Sequence, residues 1–165
     1  FDCCCTYHSS SWGQFSWIFT KNDAVSKNYV NYSLIANCVN ERADSSNTVN
    51  HGNGKIYCTS INISRNKCNS RSVILCYPYS SSSTITCSMM FSSFSDNIAY
   101  DYICIWINRV STKHEMKCCN VIRNTHSSSS YGLIHSHGNL IIEDSCFIEN
   151  TATYIFCAAS SYMIK

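Results

Sequence analysis

Apolar residues in this chain recur in pairs two apart, and the pairs themselves are three apart. Each such group leads into a short phrase ending in a polar corner. Phe19-Thr20-Lys21-Asn22-Asp23-Ala24 returns as Phe94-Ser95-Asp96-Asn97-Ile98-Ala99 and as Phe147-Ile148-Glu149-Asn150-Thr151-Ala152. Looser copies are Ile63-Ser64-Arg65-Asn66, Val121-Ile122-Arg123-Asn124 and Val39-Asn40-Glu41-Arg42. The corner position falls at 22, 42, 66, 97, 124 and 150, in steps of 20, 24, 31, 27 and 26. Aligned on that corner, the residues ten, eight, five and three before it form columns. They read Trp12, Gln14, Trp17, Phe19; then Tyr32, Leu34, Asn37, Val39; then Ile56, Cys58, Ile61, Ile63. The later units give Cys87, Met89, Ser92, Phe94; His114, Met116, Cys119, Val121; and Leu140, Ile142, Ser145, Phe147. The last column is apolar in all six units and the second in five.

Residues two apart face the same side of a strand. A spacing of two, three, two therefore predicts strand, bend, strand, with both pairs inward. A third strand is predicted after the corner, at Ser72-Val73-Ile74-Leu75-Cys76, Tyr102-Ile103-Cys104-Ile105-Trp106-Ile107 and Tyr154-Ile155-Phe156-Cys157. A quasi-period in this range means stacked supersecondary units that bury their apolar faces against one another. The expected fold is all-β: a right-handed parallel β-helix (β-solenoid) of about six coils with three strands each. The hand follows the general rule for parallel connections. Residues 1–165 read as a single segment, and the strand-like ending Ser161-Tyr162-Met163-Ile164-Lys165 suggests part of a longer array.

Five of the six corner positions are Asn. Asn tolerates positive φ better than other residues with a side chain, so Asn97 and Asn124 are expected to adopt left-handed or bridge-like angles. Stacked asparagines can also pass amide hydrogen bonds from coil to coil. The runs Ser80–Ser83 and Ser127–Ser130, Tyr77-Pro78-Tyr79, His51-Gly52-Asn53-Gly54 and His137-Gly138-Asn139 read as turns or loops.

Charge narrows the function. Twelve basic and ten acidic residues nearly cancel, and only 13% of positions are charged. That gives no basic footprint for nucleic acid. No apolar run reaches the ~18 residues a membrane span needs, so any anchor would lie outside these residues. Thirteen cysteines are many, but they fall inside strand-like runs rather than loops. They read as small apolar core residues, mostly without disulfides. Cys58, Cys87 and Cys119 occupy inward columns, and Cys104 and Cys157 are expected to share one column of the third strand.

Reactive chemistry is sparse. Asp96, Asp101, Glu115, Glu143, Asp144 and Glu149 are scattered. One column reads Lys21, Glu41, Arg65, Asp96, Arg123, Glu149, most simply a solvated ladder of weak cross-coil pairs. Many parallel β-helices cleave acidic polysaccharides with clustered aspartates, and a carbohydrate-active enzyme is the alternative reading. Zinc sites favour Cys pairs with two to four intervening residues, usually twice over. The groups Cys3-Cys4-Cys5 with His8, His114 with Cys118-Cys119, and His135-Ser136-His137 lack that pattern, although the last puts two imidazoles on one strand face. Cys119 and His114 are a weak nucleophile pair on paper. No catalytic, cofactor-binding or metal-ligating residue and no cofactor is assigned. Two sequons, Asn31-Tyr32-Ser33 and Asn62-Ile63-Ser64, fit a secreted eukaryotic chain.

A phenylalanine, two free positions and an asparagine, repeated about once per coil, resembles the repeat of the polymorphic outer-membrane proteins, the chlamydial autotransporter family. Large sets of protist surface proteins carry a similar repeat. The match rests on Phe19/Asn22, Phe94/Asn97 and Phe147/Asn150. At places comparable to the family's companion glycine motif stand Cys157-Ala158-Ala159 and Tyr131-Gly132-Leu133-Ile134. The resemblance implies a non-enzymatic, surface-displayed or secreted passenger with a structural, adhesive role. Its implied partner is a host or neighbouring cell surface.

Overall fold

The computed structural model describes residues 3–6, 16–40, 47–68, 72–81, 83–100, 105–127, 131–158 and 162–165. The expected residues His8, Trp12, Gln14, Glu41, Arg42, Asp101, Tyr102, Ile103 and Cys104 lie outside these.

Among the described residues every element is a strand. After β1 (Cys3–Thr6), one turn of the coil is β2 (Ser16–Phe19), β3 (Lys27–Asn31), β4 (Ser33–Ala36) and β5 (Val39–Asn40). The next is β6 (Val49–Gly52), β7 (Lys55–Thr59), β8 (Asn62–Ser64) and β9 (Lys67–Cys68). It is followed by β10 (Ile74–Tyr77), β11 (Ile85–Met90), β12 (Ser93–Ser95) and β13 (Ile98–Ala99), then β14 (Ile105–Ile107), β15 (Lys113–Lys117), β16 (Asn120–Ile122) and β17 (Thr125–His126). Partial turns follow: β18 (Ile134–Ser136), β19 (Asn139–Glu143) and β20 (Cys146–Ile148), then β21 (Phe156–Ala158) and β22 (Tyr162–Ile164).

Equivalent strands stack in parallel into four sheets. Sheet I is β2-β6-β10-β14-β18-β21, and sheet II is β3-β7-β11-β15-β19-β22. Sheet III is β1-β4-β8-β12-β16-β20, and sheet IV is β5-β9-β13-β17. The parallel β-solenoid expected from the sequence is therefore present. The count differs: four complete turns of four strands, flanked by partial ones, replace about six coils of three. Strands of sheet IV span only two residues, too short to show alternation.

Register explains the inward columns. Ile35, Ile63, Phe94, Val121 and Phe147 lie opposite one another on successive rungs of sheet III. Phe94 is buried in the core, while its neighbour Ser95 is only half-buried. On sheet II, Ile56, Cys87, His114 and Leu140 form one inward row and Cys58, Met89, Met116 and Ile142 the next; all are buried. The second unit is offset by four from the sequence alignment. Asn28, Val30 and Ile35 fill its inward positions, while Tyr32 is an exposed corner residue. The first copy also falls out of register. Phe19 belongs to sheet I, opposite Gly52, and lies half exposed with its ring over that glycine.

The asparagine column is a continuous hydrogen-bonded ladder. Cys38 N–H donates to Asn66 Oδ1 at 2.9 Å. Asn66 donates from N and Nδ2 to Asn97 Oδ1, each at 3.0 Å. Asn97 donates in the same way to Asn124, and Asn124 to Asn150. Each Nδ2 also reaches a carbonyl one rung back: Ile35, Ile63, Phe94 and Val121. Asn66, Asn97 and Asn124 are buried, so these bonds satisfy groups that water cannot reach.

The reason given for asparagine needs correction. These residues do not carry positive φ; the residue just before each does. Asn37, Arg65, Asp96, Arg123 and Glu149 have φ of 57°, 53°, 56°, 50° and 54°. At the corner between sheets II and III the same holds for Tyr32, Ser60, Phe91, Cys118 and Asp144. There, too, a small polar column follows the turn. Ser33, Ser92 and Ser145 donate Oγ–H to carbonyls two residues back, and Cys119 Sγ does likewise to Lys117. Selection at both corners is thus for a side chain that bonds the bend from inside.

Candidate functional site

Outward residues are what a solenoid offers a partner, and three outward groups stand out. The first is the charge column at the corner between sheets III and IV. Arg123 makes a two-pronged pair with Asp96, Nε to Oδ1 at 2.7 Å and Nη2 to Oδ2 at 2.9 Å. Its guanidinium holds the Asp96 carboxyl below the usual range, while Asp96 raises Arg123. Arg65 adds to the field on Asp96, and Glu149 to that on Arg123. Both partners are well exposed, so solvent screening leaves the pair little weight in stability. The expected ladder stands at Arg65, Asp96, Arg123 and Glu149. Lys21 is not part of it, because its phrase lies in another sheet.

The second group covers sheet II. Lys117 Nζ bridges Glu115 and Glu143 at 3.4 and 3.0 Å, and Lys165 reaches Glu143 at 3.1 Å. Ser88 Oγ donates to Glu115. The lysines hold the Glu143 carboxyl below its ordinary value. Further along the face, Tyr29 and Tyr57 stack with centroids 5.2 Å apart. The acids here are bound to neighbours, with Lys117 standing between Glu115 and Glu143.

The third group lies on the outer face of sheet I. Trp106, His135 and Cys157 occupy one row on successive rungs. Cys104, expected to share a column with Cys157, lies outside the described residues. His135 and His137 do share a face, with centroids 4.6 Å apart. Tyr131 stands edge-on to His135, and Trp106 lies beside His137. Arg109 covers the Tyr77 ring and donates from Nη1 to its hydroxyl at 2.6 Å.

Inside, burial governs the thiols and imidazoles. Cys58, Cys76 and Cys87 are free and fully buried. Hydrogen bonding with the Cys76 thiol, then burial, raises Cys58 well above the ordinary thiol range, and Cys76, lowered by its bond with Cys58 but raised by Cys87 and burial, also lies well above it. Among the described residues, Cys118 and Cys146 are exposed free thiols. Burial pushes Cys119 up to about 11 and His114 down to about 4. His114 Nε2 pairs with Thr112 Oγ1 at 2.7 Å, while Cys119 Sγ donates to the Lys117 and Met89 carbonyls. Those partners leave no hydrogen bond from thiol to imidazole, and a nucleophile needs one. His51 is also held near 4 by burial, with Nδ1 against Asn28 Oδ1 at 2.8 Å. A tight space explains Gly138: a Cβ there would come within 2.4 Å of His114 Nε2.

Among the described residues no helix is long and apolar enough to cross a membrane. Set against known proteins, the chain matches no family model, and neither a curated protein nor a solved structure gives a significant match.

Proposed function

We propose that this solenoid is a non-enzymatic structural repeat segment, secreted or displayed at a cell surface, whose outward side chains serve adhesion. One observation carries the reading. The outward carboxylates Asp96, Glu115 and Glu143 are each engaged by cations or hydroxyls of neighbouring rungs, so the charged surface works as inter-coil cement. A polysaccharide-cleaving site needs the opposite, two carboxyl groups turned toward substrate. The in-register repeats Phe94/Asn97 and Phe147/Asn150 support a relation to surface-displayed β-helix passengers. Adhesion is tested by measuring binding of the folded protein to cells alongside turnover of a polysaccharide panel. Saturable cell binding without turnover is expected. Turnover of any glycan, lost on Asp96→Asn or Glu143→Gln, would overturn the reading.

A further inference from the structure

On the outer face of sheet I, His135 lies on the rung between Trp106 and Cys157. His135 is only 5% exposed, and neither of its ring nitrogens has a hydrogen-bond partner. A buried imidazole with both nitrogens idle is an unusual expense in a fold that satisfies its corners so fully. His51 and His114 each spend one nitrogen on a core partner. His126 is buried with both nitrogens unpartnered as well, but of the two it is His135 that has a second imidazole packed against it. At His135 the strand sets a second imidazole two residues on, so His135 and His137 point out of the same face. Their centroids are 4.6 Å apart, and Tyr131 and Trp106 flank them at 5.6 and 6.3 Å.

We propose that His135 and His137 form a two-imidazole binding site for a divalent transition metal of the zinc, cobalt, nickel or copper class. Imidazole nitrogens favour these ions. With metal–nitrogen bonds of ~2.0–2.1 Å, two nitrogens on one ion sit roughly 3–4 Å apart, a span that rings at this separation can close. No third His, Cys, Asp or Glu joins the pair in a three-ligand group among the described residues. Any further ligands must then come from water or from a partner.

The probe is Co2+, titrated into protein carrying Cys118→Ser and Cys146→Ser to remove two exposed thiols. One equivalent should bind with weak visible bands typical of nitrogen and oxygen ligands, and Zn2+ should displace it. His135→Gln and His137→Gln should each weaken binding by more than the ~10–100-fold that losing an outer-shell partner costs. His126→Gln should leave the titration unchanged. Half-buried His137 can be replaced without opening the core, so that variant carries the test if His135→Gln fails to fold. Absence of stoichiometric binding would overturn the proposal. So would binding that survives His137→Gln, or a thiolate-to-cobalt band that persists in it.

Discussion

Phe91 turns the corner between sheets II and III with φ of 51° and an exposed ring. A bulky residue in that region stores strain of about 1–3 kcal/mol. Asparagine tolerates the same angles, whereas valine resists them. Phe91→Asn is therefore expected to raise the urea midpoint by about 1 kcal/mol of stability, and Phe91→Val to lower it. Equal midpoints for the two would reject strain at this corner. The imidazoles give a second residue-scale test. His51 and His114 are buried, and their folded-state values near 4 lie below the ordinary 6.5. A depressed histidine contributes stability that is complete above pH 6.5 and is lost as pH falls to 4. Each contributes up to about 3 kcal/mol, since one pKa unit is ~1.4 kcal/mol. The depressed carboxylates Asp96 and Glu143 act at lower pH, so the two effects separate. Stability should fall steeply between pH 6.5 and 4, and His114→Gln should flatten that slope by about one proton. An unchanged slope would show that His114 is already protonated in the fold.

The ladder is the element that joins coils. Asn97 accepts two hydrogen bonds from Asn66 and donates two, to Ile63 O and Asn124 Oδ1. Asn97→Asp keeps the shape but turns a charged acceptor on two acceptors. Leaving buried polar groups unsatisfied costs ~1–3 kcal/mol each, more when charged, so about 4 kcal/mol or more should be lost. Asp96→Asn, one residue earlier and outside, should cost about 1 kcal/mol or less. Comparable midpoints for the two variants would contradict the inward placement of Asn97. Much of this was legible in the chain. Alternation in Ile56–Cys58, Met89 and Phe94 marks inward positions, and the recurring Asn marks the ladder. Three things were not legible. Phe19-Thr20-Lys21-Asn22 imitates the repeat because Asn and aromatics are abundant, yet rung pairing places Phe19 opposite Gly52. Sheet IV is built from two-residue strands that carry no periodicity. Ser92 and Ser145 read as flaws in an apolar column, while they are hydrogen-bonded corner residues.

At the scale of the molecule, the core is a stack whose rows differ in content but not in position. Phe94 fills a row with Ile63 and Val121. Phe94→Ala should destabilise by about 3–5 kcal/mol, and Ser95→Ala by little. The site was less legible than the fold. The charge column at Asp96 and Arg123 follows from the repeat, and His135-Ser136-His137 from strand alternation. Burial of His135 does not, because it depends on which residues cover sheet I. The central claim is that the asparagine rungs form one buried ladder in the register described. Side-chain and backbone amide exchange, followed by 15N-resolved NMR on the folded protein, tests it most directly. Asn66, Asn97 and Asn124 should exchange as slowly as the neighbouring core strands, while exposed Asn22, which shares their sequence phrase, should exchange freely. Protection of Asn22 equal to that of Asn97, or free exchange at Asn66, Asn97 and Asn124, would contradict the register and the fold built on it.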